Sequence, residues 1–168
     1  MIAVLRLADR LVAALCRWGV VGGLLGLFVL LLLAVVVRFL PLLPISGYDE
    51  LVELLVIWLT MLGAVALWRE GALYRVTVVE ASLPPRLRRA VVMGQQFLML
   101  AFALVLLVWG LEFLFLAGET TPFLGADKSW WYAALPGPGA LMVAYSLAGL
   151  WRAWSGRSAL GESSSIIA

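Results

Sequence analysis

The 168-residue chain is 64% hydrophobic, 13% charged and free of histidine, with a mean hydropathy of +1.06. Soluble domains are about 45–50% apolar and about 25% charged, so an ordinary water-soluble fold is excluded. Without histidine the usual haem ligand and the commonest zinc and copper ligand are missing, and the single cysteine, Cys16, supplies neither an internal disulfide nor a thiolate cluster. No cofactor or metal is expected. The net charge is only +2, and the distribution of basic residues described below explains it by topology, so nucleic acid is not expected as a partner.

In chain order, residues 1–17 come first. Arg6, Arg10 and Arg17 lie within about 40° of one another at 100° per residue, with Asp9 beside them and Ile2, Val4, Leu5, Leu11, Val12 and Leu15 around the rest. The pattern predicts an amphipathic helix lying in the membrane interface; its alternative is a frayed extension of the first span. Apolar runs long enough to cross a hydrocarbon core, roughly 20 residues, then fall at 18–38, 51–69, 90–117 and 131–154. The uncharged run Trp18–Val37 is longer than the about 7–15 residues of a signal-peptide core, so an uncleaved anchor is expected. Residues 155–168 read as a flexible tail. The fold class is therefore an all-α integral membrane protein, one domain with four transmembrane helices and membrane lipids as its surroundings.

Orientation follows from the basic residues, which accumulate on the cytoplasmic side. Arg6, Arg10, Arg17, Arg69, Arg75, Arg86, Arg88, Arg89, Arg152 and Arg157 fall on one side, and only Arg38 and Lys128 on the other, with Asp49, Glu50, Glu119 and Asp127. Both termini are expected to be cytoplasmic, with the connections at 38–50 and 118–130 facing outward.

An ionisable group at the bilayer centre costs about 2.5–3.5 kcal/mol on insertion scales, so intramembrane carboxylates are the first place to look for function. Glu53 sits in the first turn of the second span, where the helix dipole favours an anion. Glu112 is roughly 13 Å beyond the middle of the third span at 1.5 Å per residue. Neither lies at mid-depth. Both read as interfacial, and a coupling acid in a small exporter is the sharper alternative. Trp18, Trp68, Trp151 and Trp154 at one set of span ends, with Trp109, Trp130 and Trp131 at the other, read as interfacial belts, leaving Trp58 as a packing residue. Gly19, Gly22, Gly23 and Gly26 form overlapping small-xxx-small pairs, and Ala140, Ala144 and Ala148 a second small stripe. Either face is able to receive a helix, from this chain or from a partner. No phosphate loop, nucleophile with a base, or cluster of metal ligands is present, so no enzyme is expected.

The order of features resembles the DctQ-like small membrane subunit of tripartite ATP-independent periplasmic (TRAP) transporters. The resemblance rests on Asp49-Glu50-Leu51-Val52-Glu53, Trp58, Gly63-Ala64 and Arg69-Glu70-Gly71. It also rests on Leu83-Pro84-Pro85-Arg86, Thr121-Pro122 and Trp131-Tyr132-Ala133-Ala134-Leu135-Pro136, and it covers about residues 18–154. Where members often carry a Gly-x-His-Ile-like run followed by an acid, this chain reads Gly71-Ala72-Leu73-Tyr74-Arg75-Val76 and then Thr77. The resemblance implies a non-catalytic scaffold in a bacterial inner membrane. Such a subunit packs against a large permease subunit that carries the substrate and sodium sites, and helps dock a periplasmic substrate-binding protein during uptake of an organic acid. On that reading the subunit-interface candidates are Gly19, Gly22, Gly23, Gly26, Glu50, Glu53, Trp58, Gly63 and Arg69. The docking candidates are Arg38, Glu119, Asp127 and Lys128. The rival readings are a self-contained homo-oligomeric, proton-coupled transporter using Glu53 or Glu112, and an accessory protein of another membrane complex.

Overall fold

The computed structural model describes residues 2–39, 47–71 and 84–154. The expected tail at 155–168 and the departure from the family pattern at 72–77 lie outside the described residues. Five helices are described: α1 Ile2–Phe39, α2 Tyr48–Glu70, α3 Pro85–Leu116, the short α4 Ser129–Tyr132, and α5 Pro136–Trp154. Four stretches are long and apolar enough to cross a membrane: Arg6–Phe39, Tyr48–Glu70, Ala90–Leu116 and Ser129–Trp151.

The N-terminus differs from the sequence expectation. Residues 2–17 do not form a separate helix but continue the first span without a break, in one helix of 38 residues. No proline interrupts the run, and the glycines of the first span weaken a helix without removing its hydrogen bonds. At 1.5 Å per residue α1 is about 57 Å long, more than the about 40–45 Å of a whole bilayer.

Local signals explain the other boundaries. α2 opens on Asp49 and Glu50, favourable at a helix N-terminus, and closes on Gly71, whose φ of 67° suits a residue without Cβ and whose N–H donates to the carbonyl oxygen of Trp68 at 3.1 Å. α3 starts on Pro84-Pro85, where a missing N–H costs nothing. Pro136-Gly137-Pro138-Gly139 does not break the fourth span. The N–H of Gly137 donates to the Ala133 carbonyl (3.2 Å) and that of Gly139 to the Leu135 carbonyl (3.0 Å), carrying the helical ladder from α4 into α5.

The principal helix contacts follow the order α1–α2–α5–α3. α1 and α2 pack antiparallel through small residues. A Cβ at Gly19 would meet Leu62 Cδ1 at 2.7 Å, one at Gly23 would meet Leu59 Cδ1 at 2.9 Å, and one at Gly26 would meet Leu55 Cδ1 at 3.4 Å. α3 and α5 pack the same way: a Cβ at Gly110 would lie 2.9 Å from Pro136 N, and one at Gly139 3.2 Å from Leu107 N. The two hairpins meet along α2 and α5, where Trp68 Nε1 donates to Ser146 Oγ at 3.0 Å and the Trp68 ring lies 6.2 Å from that of Phe102. Cys16, Leu62, Val65, Trp68, Ala103 and Met142 form the buried cluster.

This core is small for the apolar surface present. In the most apolar window of each span, 0% of α1, 11% of α2, 11% of α3 and 33% of the fourth span is buried inside the protein. Lipid-like surroundings or another protein must cover the rest, since water would not tolerate such a surface.

Candidate functional site

Polar side chains gather at the two ends of the helix row. At the end where α2 finishes, the Asp9 carboxylate accepts from Arg69 Nε (2.7 Å) and Nη2 (2.6 Å) in a bidentate pair. Tyr145 Oη donates to Asp9 Oδ1 at 2.9 Å. One carboxylate thus ties α1 to α2 and α5. Arg69 suits the position because its planar fork matches a carboxylate, which a lysine ammonium does not.

At the opposite end, Glu50 is only 9% exposed. Its two carboxylate oxygens accept the backbone N–H groups of Phe123 (2.9 Å) and Leu124 (3.0 Å). The first turn of α2 thereby anchors the connection between α3 and α4. That connection is folded on itself by the Thr120–Asp127 bridge, by Ala126 N–H donating to Thr121 Oγ1 (3.0 Å), and by a Lys128–Glu119 ion pair at 2.9 Å. Asp127 Oδ1 accepts from Ser129 N–H at 2.8 Å, an Asx-type turn leading into α4. Gly47, at φ 91°, passes so close that a Cβ would meet Phe123 Cβ at 3.1 Å. Hydrogen bonding to Lys128 holds the Glu119 carboxyl below the ordinary glutamate range, and the same bond raises the Lys128 ammonium. Hydrogen bonds from the Ser129 side chain and backbone lower the Asp127 carboxyl.

Between α2 and this anchored connection lies a cleft of about 690 Å³, with Asp49, Glu53 and Lys128 at its polar end and Val56, Ile57 and Met61 further along α2. A smaller hollow of about 300 Å³ is lined by Trp109, Glu112, Phe113 and Leu116.

The residues singled out from sequence separate into distinct places. Gly19, Gly23 and Gly26 meet leucines of α2 in the same chain, whereas nothing among the described residues comes within 4 Å of a Cβ built at Gly22 or Gly63. Glu50 is a loop anchor and Arg69 a helix tie, while Glu53 lines the cleft. Trp58 Nε1 donates to the Trp130 carbonyl at 3.1 Å, so it joins α2 to α4 as well as packing. Arg38 is exposed in the last turn of α1, and Glu119, Asp127 and Lys128 share one surface connection.

The belt reading of the tryptophans needs correction. Trp18, Trp109, Trp130 and Trp151 are exposed, but Trp68 and Trp131 are each 6% exposed and belong to the interior. The alanine stripe Ala140, Ala144 and Ala148 is exposed; α5 turns Gly139, Met142, Ser146 and Gly149 inward instead. Asp9, Tyr145 and Ser146 were not singled out as site residues. Their partners lie 60 or more positions away, a separation that periodicity does not bridge.

Comparison with known families decides the affiliation. The profile of the tripartite ATP-independent periplasmic transporters, DctQ component, matches residues 27–156. The chain belongs to the DctQ family. DctQ components are non-catalytic transporter subunits. Among the described residues no group of three His, Cys, Asp or Glu side chains is placed to hold a metal ion. The match spans α2, α3, α4 and α5 and begins inside α1, so the Glu50 anchor, Arg69 and the cleft all fall within it, and Asp9 falls outside. Comparison with curated proteins finds no match.

Proposed function

We propose that this DctQ component is the scaffold subunit of a TRAP transporter in a bacterial inner membrane. It packs against a large permease subunit and helps dock a periplasmic binding protein for sodium-coupled uptake of an organic acid. The observation that carries the reading is the row of helices itself. Its apolar flanks are largely uncovered, and its ion pairs sit at the two ends, an arrangement suited to holding a partner in the bilayer. Such a chain is poorly equipped to conduct a charged solute, which needs polar groups along the spans. The excess of arginine at the Asp9–Arg69 end supports placing that end, and both termini, in the cytoplasm. The Glu50-anchored connection then faces the periplasm.

With Gly19, Gly23 and Gly26 engaged inside the chain, Gly22 and Gly63 are the glycines of the interface set left for the large subunit. Arg38, Glu119, Asp127 and Lys128 are the groups left for the binding protein. Co-expression with the large subunit tests this: Gly22→Leu should reduce co-purification and transport while the isolated chain keeps its helicity. Undiminished complex recovery and uptake with Gly22→Leu and Gly63→Leu together would remove the assignment. Transport by this chain alone in proteoliposomes would refute the scaffold role altogether.

A further inference from the structure

The cleft beside α2 changes chemistry along its length. Asp49, Glu53 and Lys128 stand at one end, and the wall then becomes Val56, Ile57, Thr60 and Met61, with the Thr60 hydroxyl spent on the Val56 carbonyl oxygen at 2.7 Å. The rise from Asp49 to Met61 is about 18 Å at 1.5 Å per residue. One leaflet of hydrocarbon is about 15 Å, half of the about 30 Å core. With α2 spanning the bilayer as proposed above, the cleft runs from the headgroup zone down most of a leaflet, charged where the leaflet is polar and uncharged where it is apolar.

Its polar end carries both signs of charge. The side chains of Asp49 and Glu53 make no hydrogen bond or ion pair with another described residue, though Lys128 feels Glu53 through space. Lys128 uses one contact on Glu119, and an ammonium has three donors. Glu50, bonded to two backbone N–H groups, is wall rather than ligand. A carboxylate pair next to a lysine with spare donors complements a zwitterion and repels a net anion.

We propose that this cleft holds one phospholipid with an amine headgroup. Its ammonium sits between Asp49 and Glu53, its phosphate at Lys128, and one acyl chain runs along Val56, Ile57 and Met61. The lipid completes the surface between α2 and the 121–135 segment, so Glu53 and Lys128 meet lipid rather than a protein partner, and Arg38, Glu119 and Asp127 remain for docking.

Native mass spectrometry of the purified full chain, titrated with phosphatidylethanolamine or phosphatidylglycerol of identical acyl chains, tests the assignment. Phosphatidylethanolamine should be retained at about tenfold lower concentration than phosphatidylglycerol. Glu53→Gln should weaken that retention by about tenfold or more, the loss expected of one charge-assisted contact. Val56→Trp should abolish it by filling the apolar part, and Glu112→Gln, outside the cleft, should leave it unchanged. Circular dichroism establishes that each variant is folded, and Glu53→Gln, which adds no bulk, carries the test if Val56→Trp is not. Equal retention of the two lipids, or indifference to Glu53→Gln, overturns the proposal. So does a Thr60→Cys variant that crosslinks fully to a helix of a co-expressed large subunit in a complex retaining no phosphatidylethanolamine.

Discussion

Gly110→Ala perturbs the α3–α5 contact with a single methyl. The added Cβ would lie 2.9 Å from Pro136 N and 3.0 Å from both Leu135 Cβ and Pro136 Cδ, against ordinary contacts of 3.4–4 Å. The nearest neighbour is backbone in the first turn of α5, so no side-chain rotation relieves the contact and the helices must separate locally. Overpacking of this kind costs about 1–3 kcal/mol, offset by about 0.8–1 kcal/mol of better helix propensity. Gly94→Ala, in the same helix with nothing within 4 Å among the described residues, carries the propensity gain without the clash. The difference between the two variants isolates the contact: Gly110→Ala should be less stable than Gly94→Ala by about 1–3 kcal/mol. Reversible unfolding in mixed micelles by titration with a denaturing detergent, followed by helicity, measures both. Equal stabilities would refute the close approach of α3 to Pro136.

Three further expectations concern the two polar ends. Glu50→Gln replaces one acceptor oxygen with a donor facing a backbone N–H, so the amides of Phe123 and Leu124 should exchange hydrogen about tenfold faster, with α2 otherwise unchanged; unaltered exchange would detach the connection from Glu50. The Asp9–Arg69 pair should show a coupling of about 1 kcal/mol in a double-mutant cycle of Asp9→Asn and Arg69→Met, and Tyr145→Phe should reduce it; a coupling of zero would leave the tie without weight. The connection at 117–128 should loosen in acid. Glu119 and Asp127 are depressed, so their contribution is present above the ordinary carboxylate range and lost as pH falls through the lowered values. Lys128 is raised, so its share is present below the ordinary lysine value and lost only as pH rises through the raised one. Tryptophan fluorescence from Trp130 should report the acid transition, and Lys128→Met should remove the part due to Glu119; an identical transition in that variant would contradict it.

The four spans were legible because uninterrupted apolar runs of this length have few alternatives. The join between residues 17 and 18 was not: an interfacial helix and a span share one periodicity, and depth in a bilayer is not written in a helical wheel. Asp9 was visible only as an acid beside three arginines of its own helix, yet its partner is Arg69, brought close by the antiparallel packing of α1 on α2. Trp68 sits at a span end, which fits a belt, but a residue's depth does not say which way round the helix axis it points, and it points inward to Ser146. The overlapping glycine pairs mark a packing face, but the pattern does not tell its occupants apart: Gly19, Gly23 and Gly26 meet leucines of α2, whereas a Cβ at Gly22 meets nothing among the described residues. Glu50 stood out as an acid favoured by a helix N-terminus; its bonds to Phe123 and Leu124 depend on tertiary folding of a distant loop.

Helices in lipid have no hydrophobic drive to associate, so their geometry must be held by close approach and polar contacts. Charges at mid-depth are expensive, which confines strong contacts to the ends, where the Trp68–Ser146 bond lies beside Arg69, and leaves the middle to glycines and small side chains. The two ends should then behave as independent fasteners. Glu50 and Arg69 are about 28 Å apart along α2 at 1.5 Å per residue, and the two clusters share no residue. Changes at sites so far apart, without common partners, add. Glu50→Gln combined with Asp9→Asn should therefore lower the unfolding midpoint by the sum of the single effects, measured in the same mixed-micelle titration. A combined loss clearly larger than that sum would mean that the row opens cooperatively from either end, and that its rigidity resides in the whole array rather than in two separate ties.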